Sequence, residues 1–533
     1  MALTIWPGQK SATASGAVGR GTGDEPPKPR VQLSAGVIFI VAAILAVGTI
    51  FLDAPIEMSM FFAMVALMLI LAVRGFNFDE IQDAAFNSMR TVLELVMILL
   101  SVGMLISTWA QAGTIPVIIR FGLETINPTW FYVTALLLCS ITSLVTGTSW
   151  GTMGSVGVAL MAVGGALDLP AGLTAGAIIS GAYFGDKMSP LSDSTNLSAA
   201  ITGVPLFSHI RYLLITTVPA YICTVVLFTV LGFVVDHNDN TGDSIDTIVD
   251  GINRSFDTGW FSLLPVLVTV AMLIFRVPPF ISIFAGAVGA MCVSMTTQGA
   301  TVEDVIAVLH SGFVLDSGTP DIDGLISGGG LLSMAGLAML FLFAVGTSGL
   351  LNKGGFVGVI IEKFLRFANT RRRLMSLTSP VVFTSVGLGA SFSFAAVMAG
   401  TLLLPGYRKL GLDPRNLGRT IEDSGTVYDP FFPWSSGGIF AAGALGVATL
   451  DYMPFLFFAF FSTGFGLLVA LTQFTVATVP DEDEEADGKT GGETGGETTA
   501  AGGSLAAEPG PDTHDTHDTR CSHDTELQKA GQK

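Results

Sequence analysis

Cysteine is scarce in this chain of 533 residues, with four at positions 139, 223, 292 and 521. They are widely spaced and lie mostly in apolar runs, so neither a disulfide framework nor a Cys-x-x-Cys redox or metal motif is encoded. Charge is scarce too, at 13% of residues against 50% hydrophobic, with a mean hydropathy of +0.64. That balance excludes an ordinary soluble domain. A net charge of −18 offers no basic face, so no nucleic-acid partner is expected. The first 30 residues carry Lys10, Arg20, Lys28 and Arg30 without an apolar core, and so read as a loose arm rather than a secretory signal. Histidine outside the last 54 residues is limited to His209, His237 and His310.

What is abundant is apolar sequence, in stretches near 32–52, 57–73, 91–111, 129–167, 171–184, 209–235, 260–275, 279–297, 331–351, 375–405, 433–450 and 452–476. These predict an all-α, multi-pass protein of the plasma membrane whose first partner is the lipid bilayer. The stretches 129–167 and 375–405 are too long for one crossing, and small polar residues interrupt each: TGTSWGT at 146–152 and GASFSF at 389–394. Each is expected to be a split or re-entrant hairpin. The acidity is concentrated at the end, where 481–533 holds 14 acidic and 4 basic residues. Its Gly, Thr and Glu content predicts a disordered cytoplasmic tail over 477–533, of a kind seen in high-salt proteomes, in which His514 and His517 lack a fold to orient them towards a metal.

The two halves of the apolar region are similar in order. FDEIQDAAFNSM at 78–89 answers VEDVIAVLHSGF at 302–313, and AGTIPVIIRF at 112–121 answers GGFVGVIIEKF at 354–364. Asp186-x3-Pro190-x-Ser192 recurs 243 residues later as Asp429-x3-Pro433-x-Ser435, and Ser149 falls opposite Phe392 between Ser391 and Ser393. The expected organisation is a flexible arm (1–30), a first transmembrane repeat (31–235), an external linker (236–258), a second repeat (259–476) and the tail. Arg74, Arg90, Arg276, Arg371 to Arg373, Arg408, Lys409, Arg415 and Arg419 fit inside when the second half enters from the opposite face; only Arg120 and Arg254 then fall outside. Both termini are therefore predicted cytoplasmic and the repeats inverted, the architecture in which transporter sites sit at broken helices.

The polar groups sit at those interruptions. In SGAYFGDKMSPLSDSTN (180–196), Asp186, Ser189, Asp193 and Asn196 would align on one helix face, whereas Pro190 and its serines favour an unwound segment whose freed carbonyls join the carboxylates. Ionisable groups at membrane depth are costly and are kept mainly for transport. The expected site for a hard monovalent cation and a proton is Asp186 and Asp193 with Ser189, Ser192, Thr195 and Asn196. Thr148, Ser149, Thr152, Ser391 and Ser393 at the hairpin breaks, and Glu422, Asp423, Thr426, Asp429 and Ser435 in EDSGTVYDPFFPWSSGG (422–438), are further candidates. Asp429 is the weaker counterpart of Asp186, since Ser436 stands where the first half has Asp193.

Alternatives accompany several of these residues. Lys187 reads somewhat better as an inside-facing anchor than as part of the site. Glu422 and Asp423 are equally readable as surface charges, Trp434 reads as packing, and Glu94 is left out of the site. Gly147-x-Ser149-x-Gly151 matches a serine-hydrolase elbow in letters, but no histidine lies in a triad-like context, so an enzyme is not expected.

TGTSWGTMGSVGVALMAVG (146–164), AGAIISGAYFGDKMSPLSDSTNLSAAITG (175–203) and IEDSGTVYDPFFPWSSGGIFAAGALGV (421–447) resemble the signature stretches of the NhaC-type sodium/proton antiporters, within the larger ion transporter superfamily. The similarity extends over roughly 31–476, with SDSTN standing where SDTTN is expected. The resemblance implies exchange of sodium, and lithium with it, for protons, serving pH homeostasis without a cofactor; the ions are substrates. It also admits sodium- or proton-coupled exchange of small carboxylates or amino acids, of the malate/lactate or arginine/ornithine type. An elevator-like motion against a scaffold that can form a homodimer is implied as well. Lys187 is the one lysine or arginine in the central polar stretches, which leans towards bare ions.

Overall fold

The computed structural model describes residues 29–125, 127–235 and 241–478, which belong to a compact unit, Met1–Val479; a second unit, Pro480–Lys533, lies outside the described residues. The expectations for the arm before residue 29, the start of the linker and the acidic tail with His514 and His517 therefore fall outside them.

Among the described residues every extended element is helical. The first half runs α1 (Val31–Ala46), α2 (Ile56–Val73), α3 (Phe78–Arg90), α4 (Leu93–Gln111), α5 (Thr114–Thr125), α6 (Phe131–Thr146), α7 (Ser149–Thr152), α8 (Val158–Ala166), α9 (Ala171–Met188), α10 (Asp193–Thr202) and α11 (Leu206–Val234). After α12 (Thr241–Ser255), the second half runs α13 (Leu264–Ile274), α14 (Pro279–Thr297), α15 (Val302–Ser311), α16 (Pro320–Ile326), α17 (Ala335–Lys353), α18 (Phe356–Leu365), α19 (Arg371–Gly389), α20 (Phe392–Lys409), α21 (Arg415–Ser424), α22 (Ser436–Leu445), α23 (Thr449–Tyr452) and α24 (Phe457–Thr472). Seven helical segments among the described residues are long and apolar enough to cross a bilayer, and up to nine if each of two sharply bent pairs is one span. Large apolar side chains such as Phe39, Ile141, Phe233 and Phe284 point outwards, as a lipid-facing belt requires.

Both long apolar stretches are broken where expected. Helix α6 ends on Gly147, in the left-handed conformation, and Thr148 caps the next helix by accepting the Gly151 N–H at 3.1 Å. Helix α19 ends on Ala390, also left-handed despite its Cβ, and Ser391 accepts the Ser393 N–H at 3.1 Å. These positions are 243 residues apart, as are the two ends of α10 and α22, which start after Ser192 and Ser435 and stop at Gly203 and Gly446. The repetition seen in the sequence is thus present in the placement of turns and caps.

Side-to-side contacts group the polar ends. Arg74 donates to the Gly354 carbonyl and Lys353 pairs with Glu80, while Arg120 donates to Asn253 and Thr258. The tightest packing is of α6 on α9, where Gly181 and Gly185 leave no room for a Cβ against the backbone of Leu136 and Leu144. This is the small-xxx-small spacing that lets membrane helices approach closely. It fixes the end of α9, and with it Asp186, against the first hairpin.

Candidate functional site

Helix α9 stops at Met188 and α10 starts at Asp193, so the unwound alternative is the one realised, not a continuous stripe. The break is held by its own side chains. Ser189 donates to the Leu144 carbonyl (2.9 Å), Thr195 to the carbonyls of Asp186 (3.2 Å) and Lys187 (3.0 Å), and Asn196 to those of Pro190 (3.1 Å) and Ser192 (2.7 Å). The carbonyls freed by the break are therefore satisfied by α10 rather than turned towards the carboxylates, and Ser189 in turn satisfies a carbonyl at the end of α6. The reason is local: hydroxyl and amide groups one turn into α10 reach back over the gap.

Asp186 is buried and receives two hydroxyls, Ser149 on Oδ2 at 2.8 Å and Ser192 on Oδ1 at 2.5 Å. The Ser149 peptide N–H faces it as well. The second half repeats the arrangement: Asp429 is buried, faces the Phe392 N–H, and accepts the Ser436 hydroxyl on both oxygens at 3.0 and 2.9 Å. Each carboxylate thus meets the first N–H groups of a hairpin's returning helix, where the helix dipole favours negative charge. Ser435 is buried and turned to the Asp429 carbonyl.

A cavity of about 630 Å³ joins the two halves of this arrangement. Asp186, Asp193, Thr148, Ser149, Ser391, Ser393, Thr426 and Asp429 all line it, so it unites residues from both breaks and both hairpin turns. Asp193 is exposed on its wall. Thr152 does not reach it; its hydroxyl bonds the Thr148 carbonyl and shapes the turn. Tyr183, Trp150, Glu94 and Arg276 line it without having been expected. Tyr183 and Asp429 both press so closely on Gly437 that the glycine has no room for a Cβ. Trp150 stacks on Phe440 with ring centroids 4.7 Å apart. Arg276, which the charge bias places on the inner side, is on the cavity wall because α13 ends beside the first hairpin turn.

Behind the cavity lies a second polar group. Lys187 is fully buried and donates to Asp423 (2.5 Å) and Ser462 (2.7 Å), which corrects its reading as an inside-facing anchor. Being one residue from Asp186 turns it to the opposite side of α9, where α21 and α24 supply its partners. Glu422 and Asp423 are fully buried as well, not surface charges: Glu422 accepts from Ser198 at 2.6 Å, and Asp423 also accepts from Thr216 and Ser462, both at 2.9 Å. Arg419 and His209, absent from the expected site, complete the group, with Arg419 Nε 3.7 Å from Asp423 Oδ2 and its guanidinium over the Tyr212 ring. The i, i+4 spacing of Arg419 and Asp423 was the one local signal for it. Trp434 packs, and its Nε1 donates to the Gly387 carbonyl at 2.7 Å.

Among the described residues no three His, Cys, Asp or Glu side chains cluster in the way a resident metal ion requires. The oxygen-rich walls around Asp186 and Asp429 suit a transient, weakly held cation instead.

Residues 181–473 match the model of the Na+/H+ antiporter family. The chain is 35% identical over 436 residues to a malate-2H(+)/Na(+)-lactate antiporter of Bacillus subtilis, covering 82% of this chain and 93% of that one. It is 35% identical over 414 residues to the Na(+)/H(+) antiporter NhaC of Alkalihalophilus pseudofirmus, covering 75% and 87%. It is 32% identical over 463 residues to the arginine/ornithine antiporter ArcD of Halobacterium salinarum, covering 85% and 94%.

Proposed function

The chain belongs to the Na+/H+ antiporter family, and from that premise we infer that it exchanges sodium, and lithium with it, for protons across the plasma membrane, with the cavity between the two broken helices as the shared site. The observation that carries this reading is the convergence of Asp186 and Asp429, each tied to a hairpin turn, on one cavity. A cation and a proton that compete for the same carboxylates cannot occupy the site together. Exchange follows from that competition if the empty, charged site crosses poorly, because such charge is costly at membrane depth. Asp186, with Ser149 and Ser192, is the primary cation group; Asp193 and Asp429 complete the shell from the wall and from the second half, with Thr148, Ser391, Ser393 and Thr426 at its edges.

The repeated caps and turns, together with the charge bias, support two inverted repeats with hairpins that enter and return. On that arrangement Arg74, Lys353, Arg276 and Glu94 share the cytoplasmic face, Arg120 and residues 253–258 the outer one. The cavity, with Glu94 and Arg276 on its wall, then opens inwards.

A second reading is favoured by two observations. A volume of about 630 Å³ far exceeds one dehydrated ion and falls in the ~300–1,000 Å³ range of organic-ligand sites. Arg276 and Glu94, on the wall, supply a cation and an anion for a carboxylate or an amino acid, so the leaning drawn from Lys187, which is ion-paired elsewhere, no longer holds. The deciding experiment follows lumenal pH in proteoliposomes after addition of sodium, lithium, potassium, malate or arginine. Proton movement with sodium and lithium alone is the expected result. Movement only with malate or arginine would replace it by the second reading.

A further inference from the structure

Lys187, His209, Arg419, Glu422 and Asp423 are all fully buried, yet none of them lines the cavity. Burying five such groups costs several kcal/mol per ion unless each is closely paired, and the pairing here is incomplete. Lys187 and Asp423 are in direct contact, but Arg419 stands off at 3.7 Å. All three Arg419 nitrogens, both His209 ring nitrogens, Glu422 Oε2 and Asp423 Oδ2 have no hydrogen-bond partner. Arg419 Nε and Asp423 Oδ2 face each other without a hydrogen bond, and the other unsatisfied atoms leave the group open to a proton or a water, whereas a purely structural ion pair would close on itself.

The group also touches the cavity at two points. Consecutive residues of α9 serve the two places, Asp186 facing the cavity and Lys187 facing Asp423. Glu422 lies near the end of α21, four residues before Thr426, which lines the cavity. We propose that Glu422, set among Lys187, Asp423, Arg419 and His209, is a proton-carrying site separate from the cation site. A proton passes from the cavity by way of Thr426 to Glu422 Oε2, and Ser198 holds the other oxygen. The charged groups acting on it are Lys187 and Asp186 from α9; His209 from α11 acts on Lys187 and Asp423, Tyr212 from α11 and Tyr407 from α20 lie by Arg419, and α24 contributes only hydroxyls, Ser462 and Thr463, to Lys187 and Asp423. Lys187 and Asp186 bring opposite charges to it, and Asp186 faces the cavity, so its proton affinity depends on whether the cavity holds a cation.

This rests on the cation-antiport reading, and two partial reactions in proteoliposomes separate them. Equilibrium exchange of radioactive for unlabelled sodium needs only the cation site; sodium uptake driven by a pH gradient needs proton release as well. Glu422→Gln is expected to retain sodium/sodium exchange within about twofold while losing at least tenfold in gradient-driven uptake, whereas Asp186→Asn loses both. Ser198→Ala, which removes the one hydroxyl on Glu422 Oε1, should lose several-fold in gradient-driven uptake alone, with its pH profile displaced. Gradient-driven uptake within twofold of wild type in Glu422→Gln, or equal loss of both reactions in both variants, overturns the assignment. Should Glu422→Gln fail to insert, an unshifted profile in Ser198→Ala overturns it just as directly. Absence of sodium/sodium exchange in the unaltered protein overturns the cation reading itself.

Discussion

The Ser149 hydroxyl donates to Oδ2 of Asp186 at 2.8 Å, so the turn of the first hairpin and the break in α9, 37 residues apart, act on one carboxylate. A hydrogen bond to a charged group contributes ~1.5–3 kcal/mol, and ~1.4 kcal/mol is a factor of ten in affinity. Ser149→Ala is therefore expected to raise the sodium concentration for half-maximal exchange about tenfold with insertion unchanged. Sodium titration of proton release measures it, and an unchanged half-saturation would detach Ser149 from the site.

The Lys187–Asp423 pair predicts an asymmetry in stability. Removing one member of a buried pair leaves the other charge uncompensated, at a cost of ~3–5 kcal/mol, whereas replacing both with apolar groups is far milder. Lys187→Met should lower the thermal midpoint of the purified protein markedly, and adding Asp423→Leu should recover much of the loss, Arg419 remaining as the surplus charge. Thermal unfolding followed in detergent compares the three proteins; additive losses in the double variant would show that the two groups do not interact.

How much of this was legible beforehand differs between the breaks and the buried charges. Gly147, Pro190 and the serines around them carry local conformational preferences, so the hairpin turns and the unwound segment after Met188 could be read from the sequence. Lys187 meets Asp423 across 236 residues, and no local pattern encodes a pairing of that range; a lysine next to a membrane break fits the positive-inside bias equally well. The place of Arg276 on the cavity wall is hidden for a related reason, since its position after a span says which end it occupies but not that the first hairpin turn lies beside it. Ser189, Thr195 and Asn196 lie at the break, where their hydroxyl and amide N–H groups donate to backbone carbonyls, a role composition alone does not separate from cation binding.

The inverted arrangement predicts that residues 253–258 and residues 366–370 are on opposite faces. In a background with Cys223, Cys292 and Cys521 replaced by serine, an impermeant maleimide should label Ser255→Cys in intact cells, and Asn369→Cys only after the membrane is opened. Both side chains are exposed, so access is set by the membrane and not by packing. Labelling of both from one side would sink the inversion.

Arg276 separates bare-ion exchange from exchange of an organic anion. If a substrate carboxylate is held on the cavity wall, Arg276→Gln should weaken malate- or amino-acid-driven proton movement by tenfold or more. If sodium alone is carried, the loss of a positive charge from the wall should leave half-saturation unchanged or lower it, because a nearby cation repels the substrate. The direction of the change in sodium half-saturation is the readout, compared at low and high ionic strength to remove general screening.

The three cavity aspartates differ in what holds them, and that ranks their substitutions. Asp186 receives two hydroxyls and is buried; Asp429 receives one hydroxyl on both oxygens and is buried; Asp193 is exposed on the wall. A cation leaving water must recover its lost hydration from nearby charge and oxygen ligands, which the buried groups supply and a water-facing one supplies only in part. Asp186→Asn is expected to abolish sodium-dependent proton release, Asp429→Asn to reduce it by at least tenfold, and Asp193→Asn to raise the sodium requirement while leaving maximal exchange within a few-fold of the original. Proton release across a pH series, with insertion checked by surface labelling, measures all three. Wild-type rates and an unchanged pH profile in Asp186→Asn would remove the cation site from the break in α9, and a complete loss in Asp193→Asn with Asp429→Asn unaffected would return the pairing to the two aspartates of the first half.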